Sequence, residues 1–145
     1  WYDPQASDGI PALVRLFWSS LLLGATFLAL GYAISAVARR PGAAAGLAIA
    51  LWLVAIVLYD LALLSALVAD TNGAFTKQVF PWLFVANPAD AFRLYNLSAS
   101  EATMAVTGIG GAANTIPSSQ ALASMVIWPV VAFCLAIAAF RRVVP

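Results

Sequence analysis

The sequence has no histidine. It therefore lacks the side chain that titrates near neutral pH and the commonest metal ligand, and no Ser/His/Asp or Cys/His arrangement can form within it. It has one cysteine, Cys134, which excludes an intrachain disulfide and says nothing about redox compartment. Sulfur is scarce: Met104 and Met125 are the only methionines, and they are scattered along the chain. A copper or zinc path needs clustered soft ligands, so no metal site is expected. Lys77 is the single lysine, and G-x-x-x-x-G-K-[ST] is absent, so nucleotide binding has no support and no cofactor is expected. Charge is scarce as well, at 9% of residues against about 25% in soluble domains. The net charge of +1 gives no field that would attract nucleic acid.

What is present is apolar side chain, 63% of the residues. The simplest solvent for such a chain is lipid. Val14 to Ala38 is 25 residues long, enough to cross a hydrocarbon core of about 30 Å. Arg39-Arg40-Pro41-Gly42 stops that run. The second run, Gly42 to Ala69, contains one acid, Asp60, and is longer than a crossing needs, so tilting is expected. Asp70-Thr71-Asn72-Gly73 ends it with turn chemistry. The third run follows Pro117-Ser118-Ser119 and ends at Arg141-Arg142, with Ser118 or Ser119 as the expected N-cap and Pro129 as an expected kink. The expected fold is an all-α integral membrane protein. One transmembrane domain covers 1–145, with helices at about 14–38, 42–69 and 119–142.

Three crossings put Arg39, Arg40, Arg141 and Arg142 at one side, and the positive-inside rule makes that side cytoplasmic. Arg15, Lys77 and Arg93 then lie against the rule. These arginine pairs serve as topology determinants near anionic headgroups or as a docking point for a cytoplasmic partner. No basic region precedes a short apolar core at the start, so no signal peptide is expected there. Trp1-Tyr2-Asp3-Pro4 reads as an interior point of a longer protein.

The outer segment, 70–118, is expected to carry short helices. Val79 to Ala86 is apolar and aromatic but too short to span, which fits a re-entrant or interfacial element. Asn87-Pro88-Ala89-Asp90 reads as a helix start, with Asn87 capping, Pro88 at the first position and Asp90 as the acid of a capping box. Ser98 with Glu101 suggests another short helix to about Val106, ended by Gly108, Gly110 and Gly111. Asn96-Leu97-Ser98 matches a glycosylation sequon, a weak three-residue signal.

Asp60 is the sharpest single residue, because a carboxylate inside a membrane helix is costly and usually faces a partner or a wet cavity. It is either a gating or substrate-path residue or a structural acid paired across the bundle, and Arg15 enters at the same surface. Small residues recur at four-residue spacing in Ser20/Gly24, Gly31/Ser35, Gly42/Gly46/Ala50 and Ala132/Ala136, which permits close helix approach in lipid.

The string Phe80-Pro81-Trp82-Leu83, Asn87-Pro88-Ala89-Asp90 and Arg93-Leu94-Tyr95-Asn96-Leu97-Ser98 carries a resemblance. Val57 to Leu64 and Phe140-Arg141-Arg142 add to it. Together they resemble the ABC-2 type permeases, in particular the permease subunits of nitrous-oxide reductase maturation systems, from about Ala12 onward. The resemblance implies the C-terminal half of a six-helix permease in a bacterial inner membrane, with a cytoplasmic C-terminus. It implies a second permease copy, a cytoplasmic ATPase and a periplasmic partner. Trp82, Asn87, Pro88, Asp90 and Arg93 are the expected contacts with that partner. The chain itself is not expected to be an enzyme. Two alternatives stand beside this reading: an exporter of the same architecture with another substrate, and a non-transporting membrane scaffold.

Overall fold

The computed structural model describes residues 4–38, 40–97 and 116–142. Among them the regular structure is helical throughout. α1 runs from Pro4 to Val37 and starts earlier than the apolar run suggests. Proline is at home in a first helical turn, and Pro11 costs the helix one backbone bond without ending it. The stretch of α1 suited to crossing a membrane is Gly9–Val37.

Arg40, in extended conformation, precedes α2, Pro41–Leu53, whose first residue is a proline as helix starts favour. Val54–Leu58 then widens into a π turn, and α3, Tyr59–Ala69, completes a single span of 29 residues. After α3 the chain reverses at Gly73, whose φ of 69° is a left-handed conformation that glycine adopts without a Cβ penalty. Asp70 Oδ2 holds this turn by accepting from the Thr76 backbone N–H and the Thr76 hydroxyl, both at 2.7 Å. Those bonds hold the Asp70 carboxyl below the usual carboxylate range.

Three short helices follow: α4, Ala74–Gln78; α5, Phe80–Ala86; and α6, Pro88–Leu97. The last helix, α7, spans Ser118–Arg141 and continues through Pro129. Its N-cap position is held by Pro117, and neither Ser118 nor Ser119 caps it: both already lie inside the helix. The helix proposed between Ser98 and Val106, its glycine end and the sequon's Ser98 lie outside the described residues, as does Arg39.

Among the described residues, three helices are therefore long and apolar enough to cross a membrane. α1 and α7 pack along each other in parallel, since residues early in α1 (Val14, Trp18) and early in α7 (Leu122, Met125) line a common groove. The seam between them is made of small or slim side chains: Thr26, Ala29, Ala132 and Ala136 are all buried. Close backbone approach of this kind is how helices gain packing in lipid. Of the three small-residue pairs and one triplet read from sequence, only Ala132/Ala136 is packed inside this chain among the described residues. Gly24, Gly42 and Gly46 have open space where a Cβ would stand. The apolar core lies toward the other end, where Leu63, Phe80, Phe84, Leu94, Ile116 and Ala121 meet. Phe80 and Phe84 stack there, ring centroids 5.4 Å apart.

Candidate functional site

A helix of seven residues exposes a large share of its backbone, because its last four carbonyls have no partner within the helix. α5 has this problem in an apolar setting, and the spanning helices solve it. The Tyr59 hydroxyl donates to the Leu83 carbonyl at 2.6 Å. Ser124 Oγ donates to the Val85 carbonyl at 2.6 Å, and Trp128 Nε1 to the Ala86 carbonyl at 2.8 Å. Three of the four terminal carbonyls thus receive side-chain donors from the second and third spans.

The chain then turns at Asn87. Its Oδ1 accepts from the Ala89 backbone N–H at 3.0 Å, capping α6, while its Nδ2 donates 2.6 Å to the Ala55 carbonyl. Ala55 lies in the π turn, where the regular helical ladder is interrupted. It is also the central residue of the Pro41–Ala69 span. Trp128 is ten residues into α7, about 15 Å from its start at 1.5 Å per residue. The α5–Asn87–α6 hairpin is therefore re-entrant: it descends to about the middle of the bundle and returns. Irregular backbone at such depth is tolerated where protein groups satisfy it.

α6 carries charge back up the bundle. Arg93 Nη1 donates to Asp90 Oδ1 at 3.0 Å and forms an ion pair with Asp60 Oδ2. Asp90 is fully buried. Burial and the nearby Asp60 carboxylate push the Asp90 carboxyl up to about 7, against the pull of Arg93. Farther along, the Arg15 guanidinium lies 3.9 Å from the Tyr95 ring centroid and donates to the Tyr95 carbonyl. Asn96 Nδ2 donates to Ser19 Oγ at 2.9 Å. A cavity of about 570 Å³ opens between α1, α6 and α7, with Val14, Arg15, Trp18, Tyr95, Leu122 and Met125 among its walls.

The residues singled out from sequence are thus distributed unevenly. Asp60 is paired across the bundle, with Arg93 as partner; Arg15 sits with Tyr95 instead. Asn87, Pro88 and Asp90, expected on the outer face, are buried in the bundle because the hairpin folds inward. Trp82 is exposed and Arg93 partly so. Arg40, Arg141 and Arg142 are exposed at one end. Tyr59, Ser124 and Trp128 were not anticipated. The available signal was weak: polar tips on membrane helices need an acceptor. Among the described residues no group of three or more His, Cys, Asp or Glu gathers that could hold a metal ion.

A family model described as ABC-2 family transporter protein matches residues 3–143. The chain is 43% identical to the "Probable ABC transporter permease protein NosY" of Pseudomonas aeruginosa, over 97% of this chain and 51% of that protein. It is 38% identical to the protein of the same name from Stutzerimonas stutzeri, over 90% of this chain and 50% of that one. The chain spans about half the length of the curated relatives it matches.

Proposed function

This chain belongs to the ABC-2 family of transporter proteins, and on that premise we propose that it is the C-terminal membrane half of a NosY-like permease. Its work is to convert ATP-driven helix movement into a change at the outer face, in support of copper-centre assembly in nitrous-oxide reductase. Nucleotide hydrolysis belongs to a separate ATPase subunit on the cytoplasmic side, where Arg40, Arg141 and Arg142 lie. The permease acts as a homodimer in the bacterial inner membrane. Its periplasmic partner meets the outer turn and the exposed face of the hairpin, including Trp82.

The observation that carries this reading is the re-entrant hairpin. Its tip is tied to the second span by Tyr59 and Ala55 and to the third by Ser124 and Trp128. Moving either span pulls on the hairpin, so displacement at one end of the bundle is transmitted toward the other. Packed elements with alternative arrangements are the usual carriers of such coupling.

The test is complementation. The full-length gene is introduced into a denitrifying strain deleted for its own permease, and nitrous-oxide reduction with reductase copper content is measured. Restoration by the wild-type gene, and loss with Trp128→Phe despite normal membrane abundance, is expected. Failure of the wild-type gene to restore the copper centre refutes the maturation role. Orientation is tested separately in a Cys134→Ser background: Asn72→Cys should react with an impermeant maleimide from outside, and Arg142→Cys only after lysis. A second reading, export of an amphiphile, is favoured by the cavity beside Arg15, whose walls are mostly apolar with one cation. Accumulation of a lipid or peptide inside the deletion strain, with the reductase fully matured, would favour it.

A further inference from the structure

The ion cluster between the hairpin and the second span contains more acid than base. Asp60 and Asp90 meet one guanidinium, that of Arg93. With both carboxyls ionised the trio carries a net negative charge beside an apolar core. Among the described residues, the groups packed around it do not balance that charge. The second span contributes Tyr59 and Asp60, α1 contributes Arg15 against Tyr95, and the nearby α7 residues Ser124, Met125 and Trp128 carry no charge. Asp90 has no exposed surface, and its Oδ2 is buried with no hydrogen-bond donor among the described residues. A buried carboxylate oxygen left bare is unfavourable, whereas a protonated one becomes a donor and removes a charge.

We propose that Asp60 and Asp90 bind a single proton between them, making the re-entrant hairpin a protonation site. The proton resides on Asp90, the more buried of the two, and Arg93 then serves Asp60. Losing it leaves two carboxylates competing for one guanidinium and weakens the tie between α6 and the second span. The upward displacement of the Asp90 carboxyl by burial and by the Asp60 carboxylate agrees with that arrangement. The hairpin's hold on the bundle is thereby made sensitive to outer pH, independently of what the permease transports.

The experiment is infrared difference spectroscopy of the full-length permease in lipid nanodiscs, titrated from about pH 3 to about pH 9 so that both the ordinary and the displaced carboxyl ranges are covered. The probe is the carbonyl stretch of a protonated carboxyl. A titrating band with a midpoint near about 7 is expected in the wild type. It should vanish in Asp90→Asn and shift to lower pH by about one unit or more in Asp60→Asn, where the like charge is gone. Arg93→Gln should shift it upward. The wild-type titration needs no variant: absence of the band, or a midpoint in the ordinary carboxylate range, overturns the proposal. So does a midpoint unmoved in a folded Asp60→Asn protein. A midpoint that follows sodium or potassium concentration assigns the site to a metal cation and also overturns it.

Discussion

Asn87→Ala removes two hydrogen bonds from one buried side chain. The first is the cap on α6, a loss of about 1 kcal/mol for an Asn to Ala change. The second is the donor to the Ala55 carbonyl at mid-span, and leaving such a group short of a partner costs about 1–3 kcal/mol. The sum, about 2–4 kcal/mol, corresponds to about a 30- to 700-fold fall in the folded-to-unfolded ratio. Asn87→Asp separates the two contributions. It keeps an acceptor for the Ala89 N–H but turns a carboxylate oxygen toward the Ala55 carbonyl, beside Asp90. Asp at this position is an excellent cap, so a cap-only role predicts near-wild-type stability. The arrangement described here predicts a loss at least as large as in Asn87→Ala. The assay is equilibrium unfolding of the full-length permease in mixed micelles of increasing SDS content. The reasoning is refuted if Asn87→Ala lies within about 0.5 kcal/mol of wild type, the range of ordinary surface substitutions, or if Asn87→Asp is fully stable.

Tyr59→Phe and Trp128→Phe each strip one donor from the end of α5, and each should lose about 1–2 kcal/mol in the same unfolding assay. Gly73→Ala should cost about 1 kcal/mol or more because its φ of 69° disfavours a Cβ, with Gly73→Asn less affected. Asp70 predicts an acid dependence confined to the turn after α3. Its folded carboxyl titrates below the unfolded value of 3.8, so its contribution is present above that pH and fades as pH falls through the lowered folded value. The Thr76 amide resonance should follow that transition in the wild type and stay flat in Asp70→Asn.

The three spans were legible because lipid leaves a backbone few options: long apolar runs with no internal partner must be helices. Asn87-Pro88 was legible as a helix start for an equally local reason, since a capping amide and a fixed φ act on their own neighbours. The depth of that start was not. Nothing in Asn87-Pro88-Ala89-Asp90 states whether the turn lies at the surface or at the level of Ala55, and the answer depends on donors far along the chain. Tyr59, Ser124 and Trp128 read singly as ordinary membrane-helix residues; only the return of α5 into the bundle gives them acceptors. The Asp60 partner failed to emerge for a similar reason. Arg15 and Arg93 were both within reach by sequence, and the choice was made by α6 coming back beside the second span while Tyr95 engaged Arg15. Val54–Leu58 carries no proline, glycine or other signature of a widened turn. The early helix start at Pro4 reflects how readily proline enters a first turn, a feature a hydropathy boundary near Val14 does not register.

The π turn has a consequence for phase. A helix advances by 100° per residue at about 3.6 residues per turn, and a widened turn holds one residue more than an α turn would. Compared with an unbroken α-helix, everything beyond Leu58 is thus rotated against Pro41–Leu53 by about that one step. Tyr59 and Asp60 face the hairpin in this rotated setting. Deleting one residue within Val54–Leu58 would restore an unbroken α-helix of nearly the same length and leave its composition almost untouched. It would also keep Tyr59 and Asp60 facing Leu83 and Arg93, whereas regularising the helix without the deletion would swing both away by about 100°. The alignment of Tyr59–Ala69 with the hairpin therefore depends on one wide turn that absorbs a surplus residue, in a stretch whose side chains are all plain hydrocarbon.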